Sequence, residues 1–179
     1  PVLHFSCHGM ADFANALEGG MVMANDETLS LRTFLDTRLP KVRLAVLSAC
    51  ETAVPGTELP DEVLSLPSGL MQAGVDGVVG SLWPVLDEST MLLMFRFYDL
   101  WCGEGLPPSE ALRTAQQWVR DTTNSEKAEY FKDPSLKFEE IRSAEETAGS
   151  IYDLFMTREA EEREFSHPLH WAGFCYIGV

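Results

Sequence analysis

Two residues suited to acyl transfer, a cysteine and a histidine, each stand at the end of a short apolar run. Cys50 closes a run that starts at Leu44, and His8 closes the run 2–7. Runs of this kind are typical of buried strands in a parallel sheet. Such a sheet carries its functional groups beyond the carboxyl ends of its strands. We therefore predict that Cys50 and His8 lie at the same edge of an α/β sheet.

This pair predicts a cysteine peptidase with a Cys50/His8 dyad. A cysteine attacks a carbonyl carbon as the thiolate, and histidine is the usual base because it exchanges protons near neutral pH. Gly9 follows the histidine, and a glycine lets a backbone N–H approach a reacting oxygen closely. The N–H groups of Gly9 and Cys50 are therefore the predicted oxyanion donors.

Other interpretations of the same residues stay open. A single buried cysteine or histidine is commonly an inert core residue, and a domain of this kind without turnover would serve as a binding scaffold. A zinc-dependent hydrolase would use His4, Cys7 and His8 with Cys50 as ligands. Side chains alternate along a strand, so Cys7 should point away from both histidines, which disfavours zinc. We expect neither a metal nor a cofactor.

A second group of residues leaves the predicted third strand at the same edge. Ser81, Trp83 and Asp87 could line a substrate pocket, and Asp87 could receive a basic side chain. Trp83 fits a pocket and a core position equally well, whereas Asp87 fits a helix N-cap better than a pocket. Further along, His167 and His170 fit a structural turn before the last strand.

The composition limits the functions open to the chain. The net charge is −15, from 13 Lys and Arg against 28 Asp and Glu. This charge argues against direct nucleic-acid contact, which needs cationic groups on the protein, and weakly favours basic peptide substrates. The four cysteines form no CxxC pair, and no apolar run is long enough for a membrane span. These features predict a protein of the reducing cytoplasm.

Periodicity and turn residues predict the elements that position these groups in an α/β fold, a mainly parallel sheet with helices on both faces. Residues 122–165 are rich in charge, and we predict a charged insertion of exposed helices there. The other predicted elements are strands over 2–7, up to Cys50, over 74–83 and over 171–179, a hairpin over 20–29, and helices over 31–36, part of 61–73, 88–101 and 110–121.

The length of 179 residues predicts one domain over 1–179. The sequence opens at Pro1 inside a predicted strand. We therefore expect a piece of a larger polypeptide whose further strands lie upstream.

Five motifs, in order, make the chain resemble a CHAT domain. That family is a caspase-like cysteine peptidase domain, commonly found behind tetratricopeptide (TPR) repeats. The resemblance covers most of the chain except about 122–165. The motifs are His8-Gly9, the run Leu47-Ser48-Ala49-Cys50-Glu51-Thr52-Ala53, Ser81-Leu82-Trp83-Pro84-Val85 with Asp87, Glu110-Ala111-Leu112-Arg113, and His167-Pro168 with Trp171-Ala172-Gly173-Phe174.

The resemblance implies a caspase–separase fold with His8 as base and Cys50 as nucleophile. The chain departs from the family pattern in its acidic insertion and in the loop after Cys50, which carries Pro55 and Pro60. Some relatives are peptidase partners of RNA-guided type III-E CRISPR effectors and stay inactive until the effector binds target RNA. On this hypothesis the partners are a protein or peptide substrate, a regulatory TPR segment and an RNA-guided effector.

Overall fold

The computed structural model describes residues 1–10, 15, 17–48, 65–132 and 144–178. The chain divides into two compact units, one made of Pro1–Leu86 and Ala172–Val179 and the other of Asp87–Trp171. In the described residues the first unit holds all the strands and two helices, and the second unit holds five helices. The strands are β1 (Val2–Phe5), β2 (His8–Met10), β3 (Gly20–Val22), β4 (Thr28–Ser30), β5 (Leu44–Leu47), β6 (Gly77–Ser81) and β7 (Phe174–Gly178).

The larger sheet confirms the predicted α/β class. Its strand order is β1-β5-β6-β7, with β1, β5 and β6 parallel and β7 antiparallel to β6. The four residues of β5, Leu44–Leu47, are all 0% exposed. A continuous apolar run of this kind is expected for a strand buried on both faces. The apolar pattern that leads to Cys50 therefore does mark a central strand.

The second sheet corrects the prediction for the His8 strand. The predicted strand 2–7 ends at Phe5, and a separate strand, β2, begins at His8. This strand pairs antiparallel with β3, and β3 pairs antiparallel with β4. The predicted hairpin is confirmed as β3 and β4, joined by a 3-10 turn at Ala24–Asp26. His8 thus belongs to a small antiparallel sheet.

Two short helices complete the first unit, α1 (Leu31–Asp36) and α2 (Leu66–Gln72). The predicted helix 31–36 is confirmed, and Ser30 caps it: its hydroxyl accepts a hydrogen bond from the Thr33 N–H. Ser65 caps α2 in a capping box with Ser68. The ring of Pro67 stands in the first turn of α2, where no N–H is required.

Two predicted strands are shorter than expected. The third strand was predicted over 74–83 but occupies only Gly77–Ser81, because Gly74 has a φ of +103° and belongs to the preceding turn. The last strand was predicted over 171–179 but runs over Phe174–Gly178. Its three middle residues are half-buried, since β7 stands at the end of the described strand order.

The second unit is helical. The predicted helix 110–121 is confirmed within α4, where four residues form one buried face: Ala111, Leu112, Ala115 and Val119. None of the helices in the described part of the chain has the length and apolar character of a membrane span. The helices are α3 (Asp87–Tyr98), which continues as a π-helical turn at Asp99–Gly103, then α4 (Pro108–Asp121), α5 (Asn124–Lys132), α6 (Ala144–Met156) and α7 (Pro168–Trp171).

The predicted insertion 122–165 does contain helices, but the expectation that they are exposed is wrong for one face. Phe131, Phe155 and Phe165 are each 2–4% exposed. The rings of Phe155 and Phe165 meet edge to face, with centroids 6.1 Å apart. These helices therefore bury an aromatic face beneath a charged outer surface.

Lys127 of α5 is fully buried within this unit. Its Nζ donates to the Thr122 carbonyl oxygen at 2.6 Å and to Thr122 Oγ1 at 2.7 Å. The same nitrogen lies 5.5 Å from the ring centroids of both Trp118 and Phe165. Burial lowers the pKa of Lys127 to about 8 from its ordinary 10.5. A neutral amine still has two N–H groups to donate to Thr122.

We expect Lys127 to contribute a rise in the free energy of unfolding between pH 8 and pH 10, seen as the difference between the wild-type protein and Lys127→Met. The half-buried thiols of Cys7 and Cys175, whose pKa values burial raises, act in the opposite sense and are common to both proteins. In this range the unfolded chain holds a proton on Lys127 that the folded chain releases, so stability increases with pH. The pKa difference corresponds to about 2 kcal/mol over these two pH units. Urea unfolding of the wild-type protein and of Lys127→Met at each pH would measure the effect. Equal slopes in the two proteins would contradict it.

The measurement stops at pH 10 because two buried tyrosine side chains affect stability above that pH. Burial raises the pKa values of Tyr98 and Tyr130, so both phenols ionise more readily in the unfolded chain. Above pH 10 that ionisation lowers stability as pH rises, which opposes the contribution of Lys127.

Candidate active site

His8 presents an exposed side chain at the start of β2. It stands in register with Val22, and the half-buried Gly9 stands in register with Met21. Burial alternates from Leu3 to Met10, which leaves His8 outward. The predicted alternation is confirmed on this segment.

Cys7 lies on the opposite side from His8, as predicted. It is half-buried and packs against the hydrophobic core of the first unit. Burial raises the pKa of the Cys7 thiol, which disfavours the reactive thiolate. Among the described residues no group of three potential metal-ligating side chains is found.

The carboxyl ends of β1 and β5 are held together side by side. Phe5, the last residue of β1, stands in parallel register with Leu47, the last residue of β5. The next residue, Ser48, donates its N–H to the Phe5 carbonyl oxygen at 3.0 Å. The two chain segments therefore leave neighbouring strands at the same level of the sheet.

The predicted nucleophile, Cys50, lies outside the described residues, as do Pro55 and Pro60 of the following loop. Its position in the sequence is nevertheless informative. Cys50 is three residues beyond Leu47, and His8 is three residues beyond the registered partner of Leu47, Phe5.

A hydrogen bond that the sequence did not predict joins the two strand ends. His4 Nε2 lies 2.8 Å from Ser48 Oγ, and Ser48 Oγ lies 3.2 Å from the Phe5 carbonyl oxygen. Burial lowers the pKa of His4, which favours the neutral imidazole at neutral pH. No local signal reveals this pair, because its members are 44 residues apart.

Two of the predicted pocket residues lie in the first unit, at and after the end of β6. The side chain of Ser81 is 0% exposed, and Trp83 is half-buried. The Leu82 N–H donates to the Gly173 carbonyl oxygen at 2.7 Å, which brings the Trp83 segment against the start of β7. A Cβ at Gly173 would stand 3.2 Å from Trp83 Nε1, so glycine permits this close approach.

The indole N–H of Trp83 is buried and has no hydrogen-bond partner among the described residues. A buried donor without a partner is costly, and most buried indole N–H groups find one. The third predicted pocket residue, Asp87, is exposed and is the first residue of α3 in the second unit.

The two late histidines have structural surroundings. His167 Nδ1 accepts a hydrogen bond from the Leu169 N–H at 3.2 Å, at the start of α7. The ring of His170 meets that of Phe165 edge to face, with centroids 5.3 Å apart. The turn predicted before the last strand is formed by the one-turn helix α7, which starts directly after His167 and contains His170.

Comparison with known families gives one finding for the whole chain. A family model described as the CHAT domain matches residues 1–179. A comparison with curated proteins gave no match.

Proposed function

The chain belongs to the CHAT domain family of caspase-like cysteine peptidases, and on that basis we propose that it is a cysteine endopeptidase. In this proposal Cys50 is the nucleophile and His8 is the general base. The observation that carries it is the parallel register of Phe5 with Leu47, from which His8 and Cys50 are each three residues away.

This register makes the meeting of the two side chains feasible. Neighbouring strands are about 4.8 Å apart. Three residues can span at most about 10 Å. Two equal segments that start side by side therefore need no long excursion to meet. The exposed imidazole of His8 also meets the requirement that a general base reach substrate and solvent.

The proposed reaction proceeds through an acyl-thioenzyme. His8 takes the proton of the Cys50 thiol, and the thiolate attacks the scissile carbonyl carbon. The N–H groups of Gly9 and Cys50 stabilise the oxyanion. His8 then gives its proton to the departing amine. It next takes a proton from water as that water attacks the thioester, which releases the acid product and restores the thiol.

For the substrate we propose a polypeptide with a basic residue before the scissile bond. The net charge of −15 and the exposed carboxylate of Asp87 support this preference, since both attract cationic groups. In the first unit, Ser81 and Trp83 are proposed as substrate contacts in their own right, at and after the end of β6. The half-buried ring of Trp83 supports its assignment, because part of the ring is open to a ligand.

We further propose that a partner switches the peptidase on, through a TPR segment and an RNA-guided effector. The placement of His8 supports a switch of this kind. The base stands on the small antiparallel sheet, whereas the chain reaches Cys50 from β5 of the larger sheet. A shift of one sheet against the other would change the separation of base and nucleophile.

Labelling with peptide electrophiles would test the proposal. Three probes differ only in the residue before the reactive group, which is arginine, aspartate or leucine. We expect selective labelling of Cys50 with the arginine probe fastest, alone or after lysate is added. The exposed thiol of Cys102 and the half-buried thiol of Cys7 serve as internal controls.

Each outcome has a distinct meaning. Selective labelling only in lysate would support the switched peptidase, and selective labelling in buffer alone would contradict the switch but not the peptidase. A fastest reaction with the aspartate or leucine probe would overturn the basic preference. Labelling of Cys50 no faster than that of Cys102 in either condition would favour a caspase-like scaffold without turnover.

A further inference from the structure

The bond between His4 and Ser48 lies at the point where both proposed catalytic segments leave the larger sheet. His4 stands in register with Val46, and Ser48 is two residues beyond Val46, so the two side chains share one face of the sheet. His4 is four residues before His8, and Ser48 is two residues before Cys50.

Two orientations of the Ser48 hydroxyl fit these contacts. The Phe5 carbonyl oxygen can only accept, and in one orientation the single hydroxyl hydrogen of Ser48 points to it. In this orientation Ser48 Oγ accepts from an N–H on His4 Nε2; when the hydroxyl turns to His4 instead, Nε2 accepts and the Phe5 carbonyl oxygen keeps the Ser48 N–H. Both the neutral tautomer with hydrogen on Nε2 and the imidazolium carry the donating N–H, so the bond survives a change of charge.

The result is three contacts at one point of the two strand ends. The Phe5 carbonyl oxygen lies within hydrogen-bond distance of both the N–H and the hydroxyl oxygen of Ser48, and that hydroxyl is hydrogen-bonded to His4. The backbone hydrogen bond from Ser48 to Phe5 fixes only the register of the two strand ends. The side-chain contacts also hold the Ser48 side chain in one orientation at the end of β5.

We propose that His4 and Ser48 form a positioning clamp that sets the separation of the Cys50 thiol and the His8 imidazole. This inference rests on the proposed function, because it assigns the clamp to that dyad. Neither residue touches the substrate in this proposal. Misplacement of reacting groups by about 1 Å can cost about 100-fold in rate, so a clamp outside the chemistry can still decide the rate.

Four variants test the clamp. His4→Phe keeps the ring and removes the hydrogen-bonding nitrogen, whereas His4→Gln places an amide, which can donate or accept, near the position of Nε2. Ser48→Ala removes the hydroxyl, and the double variant His4→Phe/Ser48→Ala completes a cycle. The readouts are kcat and KM for a peptide substrate under activating conditions, the rate of Cys50 alkylation by iodoacetamide at pH 6, and the thermal unfolding midpoint.

We expect His4→Phe and Ser48→Ala each to lower kcat by about 10- to 100-fold with KM changed less than about twofold. Alkylation of Cys50 should slow in both variants, and the double variant should be no slower than either single variant. His4→Gln should recover most of kcat. A role in stability alone would lower the unfolding midpoint without this recovery and without the selective loss of kcat.

Two outcomes would overturn the clamp, and they are distinguishable. Unchanged kcat and alkylation in His4→Phe and Ser48→Ala, with cleavage abolished by Cys50→Ala, would refute the clamp and leave the peptidase standing. Full cleavage by Cys50→Ala would refute the peptidase mechanism itself, and the clamp with it.

Discussion

Replacement of Cys50 or His8 by alanine is expected to abolish peptide cleavage, with kcat falling on the order of 10⁴-fold or more. Without the Cys50 thiol no acyl-thioenzyme can form. Without the His8 imidazole the thiol has no general base and the departing amine has no proton donor. Because the two groups act in one sequence of steps, the double variant should be no worse than the more impaired single variant.

Folding controls separate this loss from unfolding. The His8 side chain is exposed, so His8→Ala should change the free energy of unfolding by less than about 0.5 kcal/mol. Cys7→Ala removes the neighbouring thiol, which packs against the core and whose pKa is raised by burial. That variant should keep its cleavage activity. Wild-type cleavage by folded Cys50→Ala would contradict the mechanism.

The break between β1 and β2 could not be predicted from the residue pattern. Exposed and half-buried residues alternate without interruption from Val2, through the break, to Met10. The period of two therefore continues while the hydrogen-bond partner changes from β5 to β3. Periodicity reports which side of a strand is covered, not which strand pairs with it. The predicted strand consequently ran past Phe5.

The charged segment 122–165 was misread for a different reason. Its buried aromatic residues, Phe131, Phe155 and Phe165, are at least ten positions apart, but α6 does carry Ala148, Ile151 and Phe155 at helical spacing. The prediction followed the glutamate clusters that flank this face, at 145–146 and 159–164. Burial here depends on distant residues that meet in the fold, as Phe155 and Phe165 do. In α4 the buried residues also stand at helical spacing, without flanking glutamate clusters, and the predicted helix is confirmed.

The candidate site also combines residues that a local motif predicts with residues that meet only in the folded chain. Cys50 and His8 were selected because each follows an apolar run, and the register of Phe5 with Leu47 supports that selection without testing it. The pair of His4 and Ser48 was missed because its geometry depends on the alignment of two strands. Sequence motifs identify the residues that could react. The residues that would position them, such as His4 and Ser48, are recognised only when the strand pairing is known.

Gly20→Ala is expected to disrupt the small sheet that carries His8. Gly20 of β3 stands in register with Met10 of β2 on one side and with Ser30 of β4 on the other. A Cβ at this position would lie 2.7 Å from the Ser30 Cα and closer still to the Leu29 carbonyl oxygen. These are backbone atoms of a paired strand, so they cannot move aside as a flexible side chain can. We expect a loss of about 3 kcal/mol of stability, the upper part of the range for overpacked sites.

The consequence should extend to catalysis, because β2 is held through its pairing with β3. In Gly20→Ala the peptidase activity should therefore fall together with stability, and cleavage should recover in part at lower temperature.

Gly149→Ala is the matched control, since a Cβ there meets nothing within 4 Å and the position is exposed in α6. An alanine in a helix is favoured over glycine by about 0.5–1 kcal/mol, so this control should gain stability. Urea unfolding of both variants measures the two opposite changes. A stable Gly20→Ala protein with full activity would show that β3 and β4 can separate without loss of the His8 position.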